Sequence, residues 1–431
     1  MSSYFIVGGK SLEGSIEISG NKNGALAALC ATLLTDEEVT LENVPQIEDV
    51  KVIVKLLQHL GSEVKYLNKN TLFVKTNLDY AKKGRELPLK LVDAIRASIL
   101  LVGPLLARIG NIVLPPPGGD VIGYRRLDTH FRAFEAIGAK CEISNDGFLV
   151  VTTDKLKGTD IFLEEASVTA TENIIMSCVL TEGTTVISNA ACEPHVQDLC
   201  NLLVLMGAKI RGIGSNLLSI EGVKKLNGAT FTIGSDFMEC GSFIGLCAAT
   251  RGELILNNVD IKHLPMLGSG FSRIGVGWQI IGPDSIVVPK KQSRIIKKSI
   301  DGQTYKIDDA PWPGFPADLL SIVTVVATQM NGSILIHEKM YESRMYFVDW
   351  LIRMGADIIL CDPHRAIVNG SVTLRGAKVS SPDVRAGMAL VIAALVAKGS
   401  SEIQNIYQIE RGYEELESKL IGVGANIVRK G

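Results

Sequence analysis

Between Leu114 and His130 the chain reads Leu-Pro-Pro-Pro-Gly-Gly-Asp-Val-Ile-Gly-Tyr-Arg-Arg-Leu-Asp-Thr-His, which gathers Asp120, Arg125, Arg126, Asp128 and His130 into one short stretch. A rigid proline run leading into glycines, with acids and cations side by side, suits a mobile loop that closes over a reaction and moves protons within it. A second concentration is Ile18-Ser-Gly-Asn-Lys-Asn-Gly24, which ends a strand, turns, and opens an apolar helix with Lys22 in its first turn. Arg96 and Arg385 also stand at the starts of apolar helices. A cation at a helix N-terminus opposes the dipole and costs stability unless something anionic compensates it. Lys22, Arg96 and Arg385 together therefore point to an anion site, because helix starts already offer unpaired amides to a phosphate or carboxylate. The acids in comparable places, Glu172, Glu239 and Asp383, read as caps or first-turn residues.

The elements that must hold these residues recur six times. An amphipathic helix, a glycine and a strand repeat around Gly61, Gly138, Gly207, Gly275, Gly355 and Gly424, at intervals of roughly 70 to 80 residues. Phe134-Glu-Ala-Ile-Gly138-Ala-Lys-Cys141 and Leu351-Ile-Arg-Met-Gly355-Ala-Asp-Ile358 show the pattern. Each repeat also contains an almost wholly apolar helix, over about 22–34, 94–107, 171–180, 241–250, 318–329 and 384–397; apolarity on every face predicts burial. Alternating half-buried strands follow at Glu38–Asn43, Thr184–Asn189, Glu253–Asn258, Ser333–His337 and Ser401–Asn405. The expected class is α/β, and six modules around buried helices are too many for one core, so three per domain is the economical grouping.

Composition removes several classes of function. Of 431 residues 46% are hydrophobic and 21% charged, which excludes disorder as the main theme. Lys+Arg 44 against Asp+Glu 46 leaves a net charge of -2, so neither nucleic acid nor an acidic membrane is an expected partner. The first residues lack a basic segment ahead of an apolar run, and the uncharged stretch Ala386–Ala397 is shorter than the roughly 20 residues a bilayer requires. Eight cysteines without a CxxC pair suggest reduced thiols and a cytoplasmic protein. Val7-Gly-Gly-Lys-Ser11 lacks the first glycine of a phosphate-binding P-loop, and no G-x-S-x-G or H-E-x-x-H occurs.

The set Ser19-Gly-Asn-Lys22-Asn23, Ile95-Arg96-Ala-Ser98, Gly118-Gly-Asp-Val-Ile-Gly-Tyr-Arg125, Ser167-Val168-Thr-Ala-Thr171-Glu-Asn173, Phe315-Pro-Ala-Asp318, Glu342-Ser-Arg344, Asp383-Val-Arg385 and Glu410-Arg411-Gly-Tyr413 resembles the enolpyruvyl transferases over essentially the whole chain. It is more similar to the branch whose acceptor is UDP-N-acetylglucosamine, in peptidoglycan synthesis, than to the branch acting on shikimate 3-phosphate, whose Gly-Ser-Lys-Ser type turn is here Gly-Asn-Lys-Asn. The resemblance implies a two-domain fold of six βαβαββ-like repeats. Residues 1–21 and 235–431 would form a discontinuous first domain and 22–234 a second, with the mobile loop near 115–128.

It also implies the substrates phosphoenolpyruvate and UDP-N-acetylglucosamine. No metal, organic cofactor or protein partner is expected. Lys22, Arg125 and Arg411 match positions that contact phosphoenolpyruvate, Lys22 counting among the catalytic residues; Arg96, Arg344 and Arg385 line the cleft with Asp383. Asp318 matches the residue at the acceptor hydroxyl and is the candidate base. Asn23, Arg125, Asp128, His130, Ser167, Val168 and Asp318 match acceptor-contacting or neighbouring positions, to which Arg126, Leu127 and Met340 are added. Four departures bear on the acceptor: Arg126 for a proline, Glu165 for a lysine, Phe237 for an arginine and Met340 for a small aliphatic residue. Another nucleotide or nucleotide sugar therefore stays open as acceptor, and a catalytically silent binding paralogue is opposed by retention of the cations. Asp120 stands where most of the family has a cysteine that acts as general acid and is alkylated by fosfomycin. A carboxylic acid with a raised pKa supplies the same proton, yet is a poor target for an epoxide.

Overall fold

The computed structural model describes residues 2–78, 87–119, 123 and 126–431. The chain divides into two compact units, one of residues 2–19 and 235–431 with Gly123, the other of residues 20–119 and 126–234.

In the first unit the helices Phe237–Thr250, Leu320–Ala327 and Val384–Val396 each pack on the other two and on a four-stranded sheet of their own. Every residue of Leu320–Ala327 is buried, as an apolar surface on all faces requires. Residues 306–370 show the repeat whole. Strand Lys306–Asp308 leads through the buried helix to strand Gly332–His337, parallel to it; the outer helix Val348–Arg353 then leads to the antiparallel pair Asp357–Asp362 and Arg365–Gly370. A parallel pair needs a crossover, and the buried helix supplies it. The other two sheets of this unit are completed by the beginning of the chain: Ser3–Val7 lies between Ser400–Gln404 and Asn426–Lys430, and Glu13–Glu17 runs parallel to Glu253–Asn257.

The second unit repeats the plan. Asp160–Phe162, the buried helix Val168–Cys178, Thr184–Ser188, the outer helix Pro194–Leu205 and the pair Lys209–Arg211 and Leu217–Glu221 follow the same order and strand directions. Ala229–Thr232 returns to run parallel to Glu38–Glu42. Among the described residues the remaining sheet has three strands, Asn111–Leu114, Leu149–Thr152 and Lys140–Ile143.

The six repeat glycines share one job. Each follows an outer helix with φ between +74° and +102°, and each donates its N–H three residues back while the next residue's N–H reaches five back: Gly207 to Val204 and Ala208 to Leu203, Gly355 to Ile352 and Ala356 to Leu351. This is the Schellman ending, whose left-handed residue a Cβ would strain. A second repeated joint was not anticipated. Asn43, Asn189, Asn258 and Asn405, each just past a strand end, have φ of +56° to +58°, and their side-chain amides donate to the carbonyls of Ile233, Leu163, Ile18 and Ser381, which immediately follow the parallel neighbouring strand.

Two expectations are corrected. The helix expected from Thr171 starts at Val168 with Ser167 as its cap, so Glu172 is an interior residue and not a cap. Arg96 opens a 3-10 segment, Arg96–Leu101, ahead of the α-helix Val102–Ile109. Among the described residues no helix is long and apolar enough to cross a membrane, and all eight cysteines are free.

Candidate active site

In the first unit a tight turn, closed by the Ala310 N–H donating to Phe315 O at 3.0 Å, delivers Pro316-Ala317-Asp318 to the start of the buried helix. The Asp318 carboxylate is shared. Its Oδ1 accepts from Arg344 Nη1 at 2.7 Å and its Oδ2 from Arg385 Nε at 3.1 Å. Burial alone would raise its pKa; the two guanidiniums outweigh that and hold it well below the usual carboxylate range. Arg344 and Arg385 are themselves buried, each lying over an aromatic ring, Tyr341 at 4.7 Å and Tyr413 at 5.0 Å. The Tyr413 hydroxyl is anchored 2.8 Å from that of Ser242. Arg344 Nε and Arg385 Nη1 are buried with no hydrogen-bond partner among the described residues. Buried charged donors left unmet are costly, and such a pair can take an anionic or strongly accepting ligand.

Asp383 is a cap, accepting from the Arg385 and Ala386 N–H groups at 2.8 and 2.9 Å. Glu239 is not. Asp236 caps that helix, while the Glu239 carboxylate accepts from Ser19 N and Lys419 Nζ, each at 2.7 Å. Arg411 is buried and donates from Nη1 to Gln408 Oε1 at 2.9 Å. Phe237 is buried against His263 and Trp312, with ring centroids 5.8 and 5.7 Å away. Met340 remains 41% exposed.

In the second unit Asn21 caps the Lys22–Ala31 helix, accepting from Gly24 N at 2.9 Å, and this places Lys22 beside Asp49, with Nζ donating at 3.0 Å. Asn23, next along, is exposed. Arg96 Nη1 donates to Pro117 O at 3.4 Å, tying the 3-10 segment to the proline run. His130 is 2% exposed; Nε2 is 3.1 Å from Thr169 Oγ1 and Nδ1 accepts from Asn173 Nδ2 at 3.1 Å. Burial first, and Arg96 second, pull its pKa down to about 3, so it is a neutral ring that fixes helix positions. Ser167 and Val168 are half-buried at their helix start, while Arg126, Asp128 and Glu165 are exposed and Leu127 is half-buried.

Within the first unit Asp318, Arg344 and Arg385 are in direct contact, and Asp383 caps the helix that carries Arg385. Asp120 and Arg125 lie outside the described residues. The demand that an outside anion compensate the helix-start cations is too strong: Asp49 answers Lys22, and Asp318 answers Arg385. Sequence reasoning missed Asp49, Tyr413 and Asn173 as partners. Tyr413 and Asn173 sat inside quoted motifs, but nothing in their spacing announced Arg385 or His130.

The family profile of EPSP synthase (3-phosphoshikimate 1-carboxyvinyltransferase) matches residues 6–420. The chain is 54% identical over 430 residues to UDP-N-acetylglucosamine 1-carboxyvinyltransferase of Treponema denticola, covering 100% of both chains. It is 53% identical over 431 residues to the protein of that name from Treponema pallidum, again covering 100% of both, and 51% identical over 428 residues to that from Bradyrhizobium diazoefficiens, covering 99% of this chain and 97% of that one. The enolpyruvyl transferase NikO from Streptomyces tendae superposes with a TM-score of 0.87 at 22% identity, covering 100% of this chain and 99% of that one. An EPSP synthase from Acinetobacter baumannii superposes with a TM-score of 0.75 at 16% identity, covering 100% of both chains. At such identities the likeness speaks for the fold alone. With full-length identity of about half to relatives of one name and the same fold beneath it, the chain belongs to the UDP-N-acetylglucosamine 1-carboxyvinyltransferases of the enolpyruvyl transferase family.

Proposed function

We propose that this chain transfers the enolpyruvyl group of phosphoenolpyruvate to the 3-hydroxyl of UDP-N-acetylglucosamine and releases phosphate, the first committed step of peptidoglycan synthesis. The observation that carries the reading is identity of about half over the whole chain to relatives of that name. In the addition step the acceptor hydroxyl loses a proton, its oxygen bonds to C2 of phosphoenolpyruvate, and C3 gains a proton. In the elimination step C3 loses a proton and the C2–O bond to phosphate breaks, which restores the double bond. Asp318 is the base at the acceptor. Held by Arg344 and Arg385 it is ionised and weakly basic; a ligand anion that draws one arginine away raises its basicity when the hydroxyl arrives. Lys22, Arg125 and Arg411 hold the phosphate and carboxylate of phosphoenolpyruvate, and Asp120 delivers the proton to C3.

Phosphate release with UDP-N-acetylglucosamine, other UDP-sugars and shikimate 3-phosphate tests the reaction; release with none of them overturns it. Asp120 adds a sharper test. Asp120→Asn abolishes transfer, whereas Asp120→Cys retains it and gains sensitivity to fosfomycin, to which the native chain is resistant. Full activity in Asp120→Ala would overturn the role. Reaction in the cytoplasm fits the free thiols and the nucleotide-sugar acceptor.

A further inference from the structure

We propose that Asp309 and Glu338 form a one-proton carboxyl pair that positions Arg344 and Asp318, so that turnover depends on that proton. The inference rests on the reading of Asp318 as the acceptor-side base and assigns its support.

Both residues are wholly buried, at 0% exposure. Their carboxyls converge on a single donor: the Met340 N–H lies 3.1 Å from Asp309 Oδ2 and 3.2 Å from Glu338 Oε1. Two carboxylates that close, out of water, do not both stay ionised. The amides decide which keeps the charge. Asp309 also accepts from Lys339 N, whereas Glu338 Oε1 accepts from Tyr341 N at 3.1 Å and Glu338 Oε2 is buried with no hydrogen-bond donor aimed at it among the described residues. The proton belongs on that oxygen, and burial, with the Asp309 carboxylate second, pushes the Glu338 pKa up to about 9.

The neighbouring charges do not replace the proton. Lys339 is spent on Asp308 at 2.9 Å, where Lys306 also sits, at 3.2 Å. His364 Nδ1 lies 2.9 Å from the Glu338 backbone oxygen, not from its carboxyl. Arg344 favours the charged form of Glu338 and is outweighed.

The pair sits where it sets the site. Asp309 follows strand Lys306–Asp308 and opens the loop that ends in Asp318; Glu338 follows strand Gly332–His337 and opens the turn that ends in Arg344. Two roots are pinned together, and the two tips meet as the 2.7 Å ion pair. In four other repeats the residue in Glu338's place is the left-handed asparagine, whose amide donates to the carbonyl of the residue in Asp309's place. Only a joint made of two acids needs a proton to stay closed.

The test uses the full chain and its Glu338→Gln, Asp309→Asn and Glu338→Ala variants, with kcat and KM measured from pH 6 to 10.5 and thermal unfolding from pH 5 to 10. Wild-type kcat is expected to fall above about pH 9. Glu338→Gln, which cannot lose the proton, keeps kcat near neutrality within about threefold and loses the alkaline fall, whereas Glu338→Ala loses about tenfold or more in kcat with little change in KM for phosphoenolpyruvate. The sign for unfolding follows from the raised pKa. The native state keeps a proton that the unfolded chain releases at the ordinary glutamate value, so wild-type stability declines from about pH 4.5 to about pH 9 relative to Glu338→Gln. An alkaline fall that persists in Glu338→Gln overturns the positioning role. A difference in unfolding temperature that is constant with pH overturns the shared proton. The unfolding arm needs no substrate, so it judges the pair even if the transferase reading fails, and Glu338→Gln and Asp309→Asn carry both arms if Glu338→Ala does not fold.

Discussion

Residues 160–221 and 306–370 are two copies of one plan, with the same strand order and directions and a buried helix crossing between the parallel strands. Their chemistry is opposite. In the first copy Asn189 closes the joint by donating to Leu163 O at 2.8 Å, and Ser167 caps the helix with its own hydroxyl, accepting from Ala170 N. In the second copy Asp309 and Glu338 occupy the joint, and the helix-start acid Asp318 serves two arginines instead of its own amides. The plan presents the same two places, the joint and the helix start, at one end of each repeat. A neutral pair there builds only structure; acids there create a charge that must be answered, for Asp318 by Arg344 of the same repeat and Arg385 of the next.

The largest break in this comparison is expected at the helix start of the second copy. Asp318→Asn should lower kcat by about 10²–10⁴-fold with a smaller change in KM, as loss of a general base does. A kcat within a few-fold of wild type in steady-state phosphate release would remove Asp318 from the chemistry. Asn189→Ala comes next and touches only stability. It leaves the Leu163 carbonyl without its donor and forces a Cβ residue without a polar side chain to hold φ of +58°, a loss of about 1–3 kcal/mol read by urea unfolding, with kcat unchanged. A fall in kcat at equal folded fraction would mean that the neutral joint, too, supports the reaction. Smallest, and equal in both copies, are Gly207→Ala and Gly355→Ala. Each places a Cβ at φ near +100° and should cost about 1 kcal/mol without altering KM. Unequal losses would show that the two helix endings are not the same device.

The helix endings were legible in the sequence because their cause is local. A glycine between an amphipathic helix and a strand marks a left-handed residue wherever it occurs, and all six glycines do that work. The buried helices were legible for a similar reason, since a segment with no polar face has nowhere to go but a core. Their starts were less so: Thr171 looked like a beginning, but the Ser167 side chain sets the true one a turn earlier, which turns Glu172 from a cap into a buried acid whose pKa is raised by burial and then by Glu193.

The candidate site was legible as a list of residues and not as a set of contacts. Lys22, Arg96 and Arg385 stood out by opposing a helix dipole, yet Asp49 and Asp318 were not visible as the acids that answer Lys22 and Arg385. Asp318 and Arg385 are 67 positions apart, and Asp309 and Glu338 come from the ends of different strands. What the amino-acid sequence determined by itself is what one segment settles with its own neighbours: the repeat, the turn glycines, the helices that must be buried, and the motifs that mark the family. Tertiary structure alone decided which acid meets which cation and which carboxyl keeps its proton. Those outcomes depend on distances of about 3 Å and on the exclusion of water, and both are created only when parallel strands bring separate segments together.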